Sequence, residues 1–149
     1  MGMNTVEFHH GMTDKLAYAC RLLRKAYRSG AQVLVTGDVG TLKALDRQLW
    51  VFEEQEFVPH VLALPGQSLP ARLNETPVWL APHGEAEQQV PGERGILVNL
   101  GPDMPEQPER YQRLFEIVSL APHDRQIGRQ RWKRYESLGL QIQPHEVKE

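Results

Sequence analysis

Three short runs of almost unbroken apolar character constrain this chain more than anything else in it. Residues 32–36 (Gln-Val-Leu-Val-Thr), 77–81 (Pro-Val-Trp-Leu-Ala) and 95–100 (Gly-Ile-Leu-Val-Asn-Leu) are short and bounded by turn residues. Segments of that kind suit strands covered on both faces, as in a parallel sheet sandwiched between helices. The pattern around them supplies the helices. Thr13 reads as an N-cap with Asp14 in the first turn, and Leu16, Ala19, Cys20, Leu23, Ala26 and Tyr27 then recur at helical spacing until Gly30 stops the run. Residues 41–50 read as a second helix, with Leu42, Leu45 and Leu49 on its inner stripe.

The remaining segments complete an α/β reading. Residues 5–9 (Thr-Val-Glu-Phe-His) alternate apolar and polar and predict a first strand. Residues 111–120 fit the end of a helix or a strand, and a strand is favoured for the C-terminal half. A last helix is predicted from about 124 to 138, closed by Gly139, with a short edge strand at 141–143. The 149 residues are the usual size for one domain, and neither an internal repeat nor a long linker divides them. The expectation is a single α/β domain over 1–149, with a mainly parallel sheet flanked by helices.

Charge and cysteine content bound the function class. The net charge of -2 argues against a protein that coats nucleic acid with its whole surface. The charge is uneven: residues 1–120 hold 11 Lys/Arg against 15 Asp/Glu, whereas 121–149 hold 6 against 4. The basic end is therefore the place to expect an acidic partner. With Cys20 alone, no intrachain disulfide can form, and no apolar stretch approaches the roughly 18 residues that span a bilayer. The beginning of the sequence lacks the basic-then-apolar pattern of a signal peptide, so the cytoplasm is the expected compartment.

Tests for catalysis are mostly negative. The turn Thr36-Gly37-Asp38-Val39-Gly40-Thr41-Leu42-Lys43 follows a strand and opens a helix, where a phosphate would bind in many α/β proteins. Its glycines are too close and its lysine misplaced for a P-loop, Asp38 would repel phosphate, and no third glycine completes a dinucleotide fingerprint. Gly37 and Gly40 are expected only to shape the turn. His9 and His10 would face opposite sides of a strand, and no His-Glu-x-x-His or Cys-x-x-Cys spacing marks a metal site. Cys20 lies on an apolar helix face as a core thiol, Ser119 and Ser137 have no glycine elbow, and Glu53, Glu54 and Glu56 read as a solvated loop. Neither an enzyme nor a cofactor is expected.

Two clusters suggest binding instead. Arg125, Arg129 and Trp132 stand at i, i+4 and i+7, with Tyr135 close to the same stripe and Arg131, Lys133 and Arg134 spreading charge around the helix. The helix reads either as an ordinary amphipathic one with solvated arginines or as a slot for an acidic peptide with an aromatic end. Single-stranded nucleic acid is the rival ligand. The second cluster is Leu49-Trp50-Val51-Phe52 with Phe57-Val58-Pro59-His60; Trp50 and Phe57 either roof the core or form an exposed anchor patch.

Ordered motifs along nearly the whole chain carry a resemblance. They are a first strand ending in Phe8, Ala26-Tyr27-Arg28-Ser29-Gly30, Leu45-Asp46-x-x-Leu49-Trp50, Phe57-Val58-Pro59-His60 and Pro77-Val78. Ile96-Leu97-Val98-Asn99-Leu100, Phe115-Glu116-Ile117-Val118 and Arg129-x-Arg131-x-x-x-Tyr135-x-x-x-Gly139 follow. The set resembles the chi subunit of bacterial DNA polymerase III, an accessory of the clamp loader. That resemblance implies a nucleotide-binding-like fold without a working P-loop. It also implies a non-catalytic adaptor, monomeric within a heteromeric complex, with two partners. One is the acidic C-terminal tail of single-stranded DNA-binding protein, met by Arg125, Arg129 and Trp132 over a floor near Leu120 or Ala121. The other is the psi subunit, met by Trp50 and Phe57. Direct binding of single-stranded nucleic acid is the alternative.

Overall fold

The computed structural model describes residues 5–51 and 57–148. Each of the three apolar runs contains a strand, and every strand pairing is parallel. In chain order the elements are β1 (Thr5–Met12), α1 (Lys15–Arg28), β2 (Val33–Thr36), α2 (Val39–Val51), β3 (His60–Leu62), β4 (Val78–Leu80), α3 (Glu85–Gln88), β5 (Ile96–Asn99), β6 (Arg113–Ser119), α4 (Pro122–Ser137) and β7 (Gln141–Glu146). The strands form one sheet in the order β3-β4-β2-β5-β6-β1-β7.

Alternation along each strand divides the core into two layers. On one face, Val33 and Val35 of β2 and Phe115 and Ile117 of β6 pack against Ala19, Cys20 and Leu23 of α1 and Leu42, Leu45 and Leu49 of α2. On the other, Phe8, Leu34, Leu97, Leu114 and Val118 pack with Tyr135 of α4. Burial, and secondarily the charge of Asp14, raises the Cys20 thiol to about pKa 11, which suits an inert core thiol rather than a nucleophile. Where α4 crosses β6 the helix carries Gly128; a Cβ there would stand 2.9 Å from a methyl of Val118, so glycine permits the close approach.

Several boundaries differ from the sequence expectation. Asp14, not Thr13, caps α1, because its carboxylate reaches the Ala17 amide at 3.0 Å. The helix α4 begins at Pro122, whose fixed φ suits the first helical position. The strand in 111–120 occupies Arg113–Ser119, and the tail strand runs to Glu146 along β1. The edge strand β3 and the one-turn helix α3 are too short to show a period in the sequence. Phe52 and the acidic run 53–56 lie outside the described residues. Among the described residues, no helix is long and apolar enough to cross a membrane.

Candidate functional site

The carboxyl edge of a parallel sheet is where ligands usually bind, and here the described side chains bond one another across it. Thr36 of β2 donates to Asn99 Oδ1 of β5 at 3.0 Å, and Asn99 Nδ2 donates to Glu116 Oε2 of β6 at 2.9 Å. Glu116, fully buried, also accepts from Arg131 Nε at 2.9 Å and from the Tyr135 hydroxyl at 2.5 Å. Burial, reinforced by the Glu116 charge, pushes the Tyr135 phenol far above its ordinary range, so it remains a donor. At the start of α2, Asp38 takes the Thr41 amide at 3.1 Å and the Thr41 hydroxyl at 2.6 Å. The Asp38 carboxylate thus occupies an amide that a phosphate would use; burial tends to raise its pKa, but the Thr41 bonds bring it down. Neither glycine of that turn has a left-handed φ, and Gly40 lies within α2. Among the described residues, no group of three or more His, Cys, Asp or Glu could hold a metal ion.

The network corrects one reading of the last helix. Arg131 is 2% exposed and belongs to the interior, not to a surface ring of charge; Tyr135 is likewise buried. A helical turn of 3.6 residues explains it: with Glu116 holding Arg131 and Tyr135 inward at i and i+4, Arg125 and Arg129 turn toward solvent on the β7 side.

Arg125, Arg129 and Trp132 do come together, around a cavity of about 310 Å³ whose lining is mostly apolar. Its other walls are Phe8 and His10 of β1, Val118 of β6, Gly128 and Pro144 of β7. Trp132 is half-buried against Phe8, with ring centroids 5.1 Å apart. Leu120 is 46% exposed and Ala121 occupies the N-cap position of α4; neither lines this cavity. The apolar lining comes instead from β1, β6 and β7. Alternation in β1 could have shown that Phe8 and His10 share a face, but the Phe8–Pro144 pairing exists only in the folded sheet.

Trp50 and Phe57 also meet, at the far edge of the molecule. Trp50 is 63% and Phe57 38% exposed, and their rings lie 5.1 Å apart. They form a platform rather than a roof over the core. His60, which closes the Phe57-Val58-Pro59-His60 run, stands 5.4 Å from Trp50 and 5.7 Å from Phe57.

Known proteins agree with this architecture. The family model described as DNA polymerase III chi subunit, HolC, matches residues 3–143. The chain is 33% identical over 135 residues to the DNA polymerase III subunit chi of Pseudomonas aeruginosa, covering 89% of this chain and 87% of that one. It is 30% identical over 125 residues to that of Haemophilus influenzae, covering 83% and 78%. The C-terminal domain of the DEAD-box protein Dbp5 superposes with a TM-score of 0.64 at 11% identity, over 96% of this chain and 91% of that one, a likeness of fold alone.

Proposed function

The chain belongs to the DNA polymerase III chi subunit family, and we propose that within that assembly it is a non-catalytic adaptor. On this reading it joins the clamp loader, through psi, to the acidic C-terminal tail of single-stranded DNA-binding protein. The observation that carries the reading is the α4 cavity: two exposed guanidiniums beside an apolar slot with an indole wall.

A carboxylate-rich segment ending in an aromatic residue fits both halves of that chemistry. Arg125 or Arg129 can give a terminal carboxylate two parallel hydrogen bonds, and the aromatic group can enter between Trp132, Phe8 and Pro144. Exposed ion pairs are individually weak, so the buried ring and the doubly bonded carboxylate account for most of the affinity. The Trp50–Phe57 platform, lacking a comparable slot, fits an apolar partner surface and is assigned to psi.

Calorimetry with a synthetic tail peptide tests the first assignment. Arg129→Ala is expected to weaken binding by about 10-fold or more, with unchanged melting, because the side chain is exposed and makes a charge-assisted bond. Equal affinity of the variant and the parent would overturn it. Direct capture of single-stranded nucleic acid is less favoured, since the burial of Arg131 and Tyr135 breaks the run of cations and stacking rings. Gel shift with a bare oligonucleotide is expected to show little binding unless the coating protein is present.

A further inference from the structure

We propose that the groove between α1 and strands β5 and β6 is a third docking surface, and that it takes an acidic peptide segment carrying one apolar side chain. The charge of α1 comes first. This helix holds Lys15, Arg21, Arg24, Lys25 and Arg28 and no carboxylate. Arg21, Lys25 and Arg28 stand at i, i+4 and i+7, and all three are exposed. The acidic balance of residues 1–120 conceals this face, because the carboxylates lie on other elements. Cations in a last turn also suit the helix dipole, which accounts for part of Lys25 and Arg28. The dipole does not account for what lies beside them.

A cavity of about 180 Å³ opens at Lys25, and its lining is mostly apolar, from Leu22 and Ala26 of α1, Ile96 of β5 and Phe115 of β6. An apolar cavity of about 150 Å³ accepts benzene, so this one has room for a branched aliphatic side chain or a ring. Arg113 of β6 brings a second cation to the rim, and no carboxylate lines the cavity. The Arg113 guanidinium donates to Glu7 from Nε and from one Nη, each at 3.1 Å, which leaves the other Nη outside the pair; its side chain is 56% exposed. Aromatic contacts decide the ligand class. A nucleobase needs an open aromatic face, but the Arg113 guanidinium lies 4.6 Å over Phe115 and that of Arg21 lies 5.8 Å over Tyr18. An acidic peptide needs no such face. Its carboxylates meet Lys25 and Arg113, and its apolar side chain fills the cavity. The site is separate from the other two: the α4 slot opens on the opposite face of the sheet, and neither Trp50 nor Phe57 lines this cavity.

The probe is the peptide acetyl-Asp-Glu-Asp-Leu-Asp-Glu-amide, which has neither the free carboxylate nor the terminal aromatic group that suits the α4 slot. Methyl NMR titration of the full chain is expected to move the Leu22 and Ile96 methyls saturably and to leave those of Val118, in the slot, in place. Lys25→Glu, at an exposed position, is expected to keep its melting temperature and to weaken binding about 5-fold. Replacing the leucine of the peptide by serine is expected to cost about 10-fold or more, the loss of one buried aliphatic group. The proposal is overturned by the absence of saturable shifts at Leu22 and Ile96, or by equal affinity of Lys25→Glu or of the serine peptide. Shifts at Val118 instead would give the peptide to the slot. A thymidine oligonucleotide that moves the Leu22 and Ile96 methyls at lower concentration than the peptide would give the groove to nucleic acid. Either result overturns the proposal and leaves the tail and psi assignments standing on their own tests.

Discussion

The α4 slot and the α2 platform both present a tryptophan to the outside, but they are built in opposite ways. At the slot the cations are exposed and the aromatic ring is half-buried, with three strands supplying the walls. At the platform the aromatic rings are exposed, and the His60 imidazole beneath them, hydrogen-bonded with Asp46, is the buried part. Charge at the surface recognises charge and feels salt, whereas exposed apolar rings recognise an apolar surface and feel salt little. The first arrangement suits a flexible acidic segment, and the second suits a folded apolar face.

The comparison can be broken most severely from inside. Glu116→Ala would strand the buried Arg131 guanidinium and leave Tyr135 without its acceptor. Thermal or denaturant unfolding is expected to show a loss of about 3–5 kcal/mol. In the molecules that remain folded, tail binding should fall while psi binding persists, because this network orients α4 and does not touch the platform. Equal loss at both surfaces would show that they share one support.

Next in size is the platform itself. Replacing Trp50 and Phe57 together by Ala is expected to cost about 2–4 kcal/mol in psi association, read by calorimetry or co-purification, with tail binding unchanged. Retained association would deny these rings the role of anchor.

Acid should act first on the α1 face of the sheet, opposite the slot. Nδ1 of His9 on β1 is hydrogen-bonded with the Tyr18 hydroxyl, and its ring lies 4.6 Å from that of His145 on β7. Burial, then repulsion from His145, lowers its pKa from 6.5 to about 4. The unfolded chain therefore takes up a proton that the folded chain refuses. The stability linked to His9 is complete above pH 6.5 and is lost as pH falls toward 4, a change of the order of 2 kcal/mol. A urea midpoint that is flat over this window in the parent chain, or just as steep in His9→Leu, would contradict it.

Salt should give the smallest and most discriminating effect. Raising ionic strength from about 0.05 to 0.2 M is expected to weaken tail binding several-fold and to leave psi binding nearly constant. Similar slopes would mean that the platform also works through exposed charge.

How much of this was legible beforehand depended on range. Leu42, Leu45 and Leu49 announced an inner helical stripe and were found fully buried or nearly so, and the apolar runs announced strands covered on both faces. The i, i+4, i+7 spacing put Arg125, Arg129 and Trp132 beside one another without any structure. Arg131 was misread because helix periodicity reports angular position only; which side faces inward was decided by Glu116, 15 residues away on β6.

By itself, then, the sequence determined the alternation of parallel strands and helices, the companions along α4, and the family, since each depends on residues a few positions apart or on motifs in order. The tertiary structure decided what those residues surround. Phe8, Val118 and Pro144 become one wall only through the β6-β1-β7 pairing, and Trp50, Phe57 and His60 meet only because β3 folds back beside α2. The physical reason is that hydrophobic periodicity is a local signal, whereas the shape and charge of a surface are set by chain segments that meet after long loops close.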